Sequence, residues 1–449
     1  MTVPWPPRPL ATRVVALAPM VRACTTPLRA QALLYGADVV YSEELIAKRV
    51  LACSRRVPRT GWVDLLDPSG SLCLRVDTDL ERNRLVIQLG VADVDEACVA
   101  PAVAAGRAKP RTVGSASFAA TLAVCDLCTG VDLNMGCPKP FSTQGGMGAE
   151  LLKDPERAAA IVSAMRRAAP AHVAVSAKIR LRETTDDTAA LCVLLARAGA
   201  AAIAVHGRLP AEEPSQTPPR RSQQFELFSQ LRKSHADLFG LGGTTALLAN
   251  GDFYGWDAID AALLGESRCD GVLLARPALL DMSLFRGRNG RLGRFAVIQE
   301  YMRFAKFYDI HPVNAKYVIM EMLAKKRHPK DAFGEVQQRD GTVPRYFNIG
   351  EIGKCKTFEA LVTLCGLDEE EEEDDDGDDD GDGGEPEAPL PDGRKYSDAY
   401  FDGELAADPV DAPAAERPPK RPKSDGDDAS AVGAGRDDGA SAVPPGTAS

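Results

Sequence analysis

The sequence predicts an α/β fold: a closed (β/α)8 TIM barrel, followed by a small helical domain and a disordered acidic tail. Two patterns predict the barrel. Eight short runs rich in Val, Ile and Ala alternate with helix-like stretches, as parallel strands buried on both faces do. Nearly every run also ends in a residue able to do chemistry, and a barrel collects all its strand ends at one mouth. An open doubly wound sheet, the alternative, would spread those residues along an edge.

The runs are Val14–Ala18, Ala37–Tyr41, Leu85–Leu89, Val131–Met135, Val173–Ile179, Ala201–His206, Leu247–Asn250 and Gly271–Ala275. Stretches such as Asp154–Ala168 and Asp186–Ala198 have helical spacing between them. The residues at the strand ends are, in order, Pro19 with Met20, Glu43, Gln88, Asn134 with Cys137, Lys178, His206, Asn250 and Arg276. The barrel is expected over 14–289. Residues 290–367 form the helical domain, with helices expected over Phe295–Asp309, Asn314–Lys326 and Thr357–Cys365. Residues 1–13 are a proline-rich extension with no apolar h-region, so no secretory signal is expected. Pro101–Ser117 looks like a surface insertion between the third and fourth strands.

The net charge of −11 conceals a division. From Asp368 onward there are 27 Asp and Glu against 7 Lys and Arg, while residues 1–367 carry a net +9. A segment so acidic and so poor in apolar residues repels itself and cannot bury a core, so 368–449 is expected to be disordered. The basic body suits a polyanionic partner. No run of 18 apolar residues exists, so no membrane span is expected. The 11 cysteines are odd in number and scattered, which argues for a reducing compartment rather than a disulfide framework. A cytoplasmic monomer is expected; the basic cluster Arg417–Lys423 is the one segment that could extend its location to the nucleus.

Chemistry concentrates at Asn134-Met-Gly-Cys-Pro138, followed by Gly145-Gly-Met-Gly148. A cysteine past a strand end, before proline and near a Gly-rich turn, is presented rather than packed, and its thiol can serve as an acid. Lys178 and Arg180 are two apart on one strand and so point the same way. A lysine inside a barrel mouth needs an anionic partner such as a phosphate or a flavin edge. His206-Gly-Arg208 ends another strand. Asn250-Gly-Asp252 and Ala275-Arg276 follow the seventh and eighth strands, whose loops form a phosphate site in many barrels. No Gly-x-Gly-x-x-Gly follows a strand, so a Rossmann domain is not indicated. Cys125-Asp-Leu-Cys128 lacks a second pair at suitable spacing and reads as packing, so no metal is expected.

Taken together, these residues resemble the tRNA-dihydrouridine synthase family. The resemblance runs from about residue 14 to 326. It is carried by Leu17-Ala-Pro-Met-Val-Arg22, Tyr35-Gly-Ala-Asp38, Tyr41-Ser-Glu-Glu44, Gln88-Leu-Gly90, Asp132-Leu-Asn-Met-Gly-Cys-Pro-Lys139, Gly145-Gly-Met-Gly148, Lys178-Ile-Arg180, Val205-His-Gly-Arg208, Ala249-Asn-Gly-Asp252, Ala275-Arg276, Tyr308-Asp309 and Asn314-Ala-Lys-Tyr317. The wording around Cys137 and Asn314–Tyr317 is most similar to the eukaryotic branch acting on uridine 20 of the D-loop. The resemblance implies an FMN enzyme that uses NADPH or NADH to saturate a uracil ring in tRNA, with Cys137 protonating C5. It implies an FMN site lined by Pro19, Met20, Val21, Gln88, Lys178, His206, Asn250, Gly251, Asp252, Ala275 and Arg276. It implies substrate contacts from Asn134, Arg180, Arg208, Asn314 and Lys316. The chain departs from animal members of that branch: their double-stranded-RNA-binding domain is missing, an acidic tail stands in its place, and Pro101–Ser117 and Gly240-Leu-Gly-Gly243 are unusual. A flavin-dependent dehydrogenase of a free pyrimidine and a tRNA-binding protein without catalysis are the rival readings.

Overall fold

The computed structural model describes residues 14–92, 116–213, 216–265, 269–324 and 343–367. The extension at 1–13, the acidic tail, most of the 101–117 insertion and the end of the helix expected to reach Lys326 lie outside them. The strands are β1 (Val14–Leu17), β2 (Val39–Ile46), β3 (Ser54–Arg56), β4 (Trp62–Leu66), β5 (Leu72–Asp77), β6 (Leu85–Gly90), β7 (Gly130–Met135), β8 (Ala174–Arg180), β9 (Ala202–His206), β10 (Ala246–Asn250) and β11 (Gly271–Leu274).

Eight of these close into a barrel in the order β1-β11-β10-β9-β8-β7-β6-β2. Every pair in it is parallel. All eight expected runs are therefore barrel strands, and the open sheet is excluded. The ring closes where Val14–Leu17 of β1 pairs with Gly271–Leu274 of β11.

Alternation along each strand sorts the side chains into two layers. Val14, Ala16, Val86, Ala174, Ala202, Ala204, Ala246, Leu248 and Leu273 form one buried cluster inside the barrel. Val15, Leu17, Ile87, Leu133, Val175 and Leu247 belong to a second cluster, between strands and helices. The inner cluster is rich in alanine, which lets eight strands converge. The same inward positions turn polar toward the C-terminal ends: Gln88, Asp132 and Asn134, then Ser176, Lys178 and Arg180, then His206 and Asn250.

β2 breaks this parity. Its pairing with β6 shifts register between Tyr41 and Glu44, so that Tyr41 opposes Val86 but Glu44 opposes Gln88. The Ser42 hydroxyl fills the gap in the ladder, accepting the Gln88 N–H at 3.0 Å. Such an irregularity re-aims the residues beyond it. It puts Glu44, not the expected Glu43, beside Gln88; the Glu43 carboxylate instead accepts the backbone N–H of Arg22, a residue held at φ 68°.

β3, β4 and β5 form a separate antiparallel sheet inserted between β2 and β6. Asp67 builds its β4–β5 turn, its Oδ1 accepting from the N–H groups of Ser69 and Ser71. The sheet joins the barrel to the helices that follow it. Arg75 is clamped on Asp64 (2.7 and 2.9 Å), and its Nη1 reaches the carbonyl of Tyr308. The Tyr308 hydroxyl donates to Asp77 at 2.8 Å, and Trp62 packs against Phe307 and Tyr308. Arg29, 1% exposed, holds Glu81 with two bonds of 2.5 and 3.0 Å.

Helices at Arg294–Phe307, Pro312–Leu323 and Phe358–Leu364 occur where expected, with a further short one at Ile349–Lys354. Their apolar faces, including Val297, Ile298, Tyr301 and Met302, join the outer core of the barrel. Gln31 of the first barrel helix also donates to the Val297 carbonyl at 2.8 Å. The described residues of this region, 290–324 and 343–367, thus pack as a layer on the barrel, in the same compact unit. Among the described residues no helix is long and apolar enough to cross a membrane.

Candidate active site

Because the strands are parallel and in register, their polar ends form a continuous rim. Glu44 opposes Gln88, Gln88 opposes Asp132, Asn134 opposes Lys178, Arg180 opposes His206, and His206 opposes Asn250.

The turn after β7 is made by Asn134. Its side-chain oxygen accepts the N–H groups of Gly136 (2.9 Å) and Cys137 (3.1 Å), bending the chain over the strand end. Arg180 secures the bend from β8: its Nε donates to the Gly136 carbonyl at 2.9 Å and its Nη1 to the Leu209 carbonyl at 2.8 Å. The far side is held by the Ala149 N–H on the Cys137 carbonyl, 2.9 Å. Gly148, at φ 58°, is required there, since a Cβ would stand 2.6 Å from that carbonyl. Asn134 and Arg180 therefore both shape the Cys137 loop. The thiol is partly exposed. Burial pushes its pKa up, as does the charge of Glu44; the Lys139 backbone and the charges of Lys139 and Arg180 act against them.

Lys178 has no hydrogen bond or ion pair among the described residues. Desolvation, reinforced by Arg180, pushes its ammonium down to about 8. Beneath it, Asp132 is fully buried and accepts from Gln88 Nε2 (2.8 Å) and Ser176 Oγ (2.6 Å). Burial raises that carboxyl to about 6. His206 is held neutral: burial depresses its pKa well below the ordinary imidazole value, with Lys178, Arg180, Arg208 and Arg276 adding to the effect. Its Nδ1 is buried without a partner.

The ends of β1, β10 and β11 complete the rim. Ala18 N–H donates to the Leu274 carbonyl at 2.9 Å, which sets Pro19, Met20 and Val21 beside Ala275 and Arg276. Asn250 is buried and donates to the Leu273 carbonyl at 2.8 Å. Gly251 adopts φ 132°, where a Cβ would press on Pro219 at 3.2 Å. Asp252, at φ 36°, takes Arg276 on one oxygen and Arg208 on the other.

Two of the expected substrate contacts are engaged by partners within the chain. Arg208 is 1% exposed, bound to Asp252 and, through Nε, to the Thr217 carbonyl at 2.6 Å. It ties the loop after β9 to the loop after β10. Lys316 places its ammonium on the carbonyls of Gly353 (2.9 Å) and Cys355 (2.6 Å). There it neutralises the carboxyl end of helix Ile349–Lys354, a role that the helix dipole favours. Asn314 is half-buried on the helix beginning at Pro312. Cys125 and Cys128 are buried free thiols whose sulfurs meet backbone carbonyls. No group of metal ligands occurs among the described residues. Glu44, Asp132, Ser142 and Ser176 are site residues that sequence reasoning missed.

A closed parallel barrel whose mouth gathers a thiol, a desolvated ammonium and a neutral imidazole defines a (β/α)8 protein with one concentrated polar site. The chain belongs to the Dihydrouridine synthase (Dus) family, whose profile matches residues 16–333. Among relatives, the tRNA-dihydrouridine(20) synthase [NAD(P)+] of Schizosaccharomyces pombe is 34% identical over 316 residues, covering 69% of this chain and 59% of its own length. The Saccharomyces cerevisiae protein of the same name is 29% identical over 325 residues, covering 70% of this chain and 77% of its own. The chain thus spans less than two thirds of the fission-yeast relative. Among solved structures, DHODH from Eimeria tenella in complex with ferulenol overlays with a TM-score of 0.38 at 12% identity, covering 66% of this chain and 82% of that one.

Proposed function

We propose that this protein is a tRNA-dihydrouridine synthase that uses FMN and NADPH to reduce the C5–C6 double bond of a D-loop uridine, uridine 20. The observation that carries the reading is the Cys137 thiol, on a loop whose backbone is held by Asn134 and Arg180 at the barrel mouth of a Dus-family chain.

The residues present fit a flavin mononucleotide. The Lys178 ammonium is half-buried and unpaired, and the His206 Nδ1 is buried without a partner, a state uncommon for a buried polar group. The backbone bared at Gly251, with Arg276 close by, suits a phosphate. Lys178 and Gln88 would face the ring's polar edge, and Pro19, Met20, Val21, Asn250, Asp252 and Ala275 would line the rest. When bound, FMN supplies the hydride, replenished from NADPH. Cys137 holds a proton on Sγ and delivers it to C5 of the uracil as C6 is reduced; a positioned acid contributes typically 10²–10⁴-fold. His206, neutral, offers a hydrogen bond without adding charge. The basic body, net +9 over residues 1–367, draws the polyanionic substrate.

The test supplies purified full-length protein with FMN, NADPH and an unmodified tRNA transcript, and maps dihydrouridine by position. Dihydrouridine at position 20 is expected. Flavin-loaded protein that leaves tRNA unchanged but saturates a free pyrimidine would move the assignment to the rival enzyme class.

A further inference from the structure

Glu44 is a rim carboxylate with no ion pair among the described residues. It is 8% exposed, and its Oε1 accepts the Ser142 hydroxyl at 2.9 Å. Its Oε2 is buried and closes no hydrogen bond. The space for it is reserved, because at Gly90 a Cβ would lie 2.6 Å from Oε1. Ser142 and the Cys137 carbonyl both abut Gly148, so the carboxyl's anchor and the thiol belong to one packed turn. Burial costs the Glu44 carboxylate solvation that the Ser142 hydroxyl only partly offsets.

We propose that Glu44 is the positioning residue for Cys137: anchored by Ser142 behind the turn, its free carboxylate oxygen accepts a hydrogen bond from the thiol and keeps the sulfur in its S–H form. This rests on the reading of Cys137 as a proton donor. The groups facing the sulfur are Glu44 from β2, Lys139 from the turn, and Arg180 and Lys178 from β8. The three cations favour a thiolate, which has no proton to give. Glu44 is the opposing charge, and ionisation responds on both sides. Burial raises the Glu44 carboxyl while Ser142, Asn134 and Cys137 lower it, and Glu44 in turn raises the thiol. In turnover the S–H bond breaks as a C–H bond forms at C5. The thiolate then regains a proton from water, and the Glu44 charge favours that return.

The test reads the thiol directly. Full-length protein, without tRNA, is alkylated with iodoacetamide across pH, and the peptide carrying Cys137 is quantified by mass spectrometry. Glu44→Gln keeps an acceptor for Ser142 and removes the charge. Its alkylation midpoint should move to lower pH by about one unit, with about tenfold faster labelling at neutral pH. Ser142→Ala, which frees the carboxyl from its anchor, should shift the midpoint by a smaller amount. The alkaline limb of tRNA-driven flavin reoxidation should fall at correspondingly lower pH in Glu44→Gln, whereas a merely structural Glu44 would change rate without moving that limb. An unmoved alkylation midpoint in folded Glu44→Gln would overturn the proposal. Wild-type flavin that tRNA cannot reoxidise would overturn the reaction assignment instead, because the alkylation shift is read without substrate.

Discussion

Two buried polar regions of this molecule are built to opposite rules. At the joint between the three-stranded sheet and the C-terminal helices, Arg29 meets Glu81, Arg75 meets Asp64, and Asp77 meets Tyr308. None of these side chains has an orphaned polar atom. At the barrel mouth, His206 Nδ1, Glu44 Oε2 and Arg208 Nη1 are buried without partners, and four cations crowd the imidazole. A satisfied network of charges holds parts together; an unsatisfied one costs stability and persists where a ligand completes it. The joint closes its charges on one another, whereas the mouth leaves orphans among the strand-end groups that can do chemistry.

The sharpest way to break the comparison is to exchange the consequences of mutation. Cys137→Ala should slow reoxidation of the reduced flavin by tRNA roughly 10²–10⁴-fold. Reduction by NADPH and thermal stability should stay as in the wild type. Stopped-flow absorbance and a melting curve check both halves, and a native reoxidation rate would remove Cys137 from the chemistry. Arg29→Ala should do the reverse. It strands the Glu81 carboxylate in the interior, which costs about 3–5 kcal/mol, read as a lower denaturation midpoint, while folded molecules keep their flavin.

A subtler effect follows from Lys178. In the free protein its ammonium titrates near 8, so it is a cation below that pH and neutral above it. If it pairs with an electron-rich edge of FMN, apoprotein affinity should hold up to pH 8 and then weaken by up to about tenfold per unit. Flavin titrations at pH 7 and 9.5 that give equal affinity would place Lys178 outside the flavin site. The smallest effect is expected at Lys316. Lys316→Ala should cost about 0.5–1 kcal/mol through the carboxyl end of Ile349–Lys354 and leave the salt dependence of tRNA binding unchanged. A loss of one unit from the slope of log affinity against log salt would make it a phosphate contact after all.

What could be read from the chain beforehand follows the physics of each element. The barrel strands were legible because burial on both faces leaves unbroken apolar runs. The rim was legible because chemistry-bearing residues such as Asn134, Lys178 and His206 stand at the ends of those runs. Glu44 was not, because the register shift after Tyr41 inverts inside and outside over a stretch with no glycine to mark it. The anchorage of Lys316 was not legible because the helix end it serves arrives from 37 residues further on, at Gly353. The β4–β5 hairpin did leave a signal, the Asp67-Pro-Ser-Gly70 turn between apolar runs. That signal is weaker than the unbroken apolar runs of the barrel strands on either side of it.

The seam of the barrel sets a schedule for its making. β1 can pair with β2 soon after both emerge, but its other edge belongs to β11, which ends at Leu274. At typical synthesis rates of about 5–20 residues per second, that edge stays open on the order of tens of seconds. Val14–Leu17 is short and wholly apolar, the kind of unpaired edge that invites wrong partners. A ribosome stalled before Leu274 would therefore hold a sheet with two raw margins and no mouth, and the polar rim would assemble only as the ring closes.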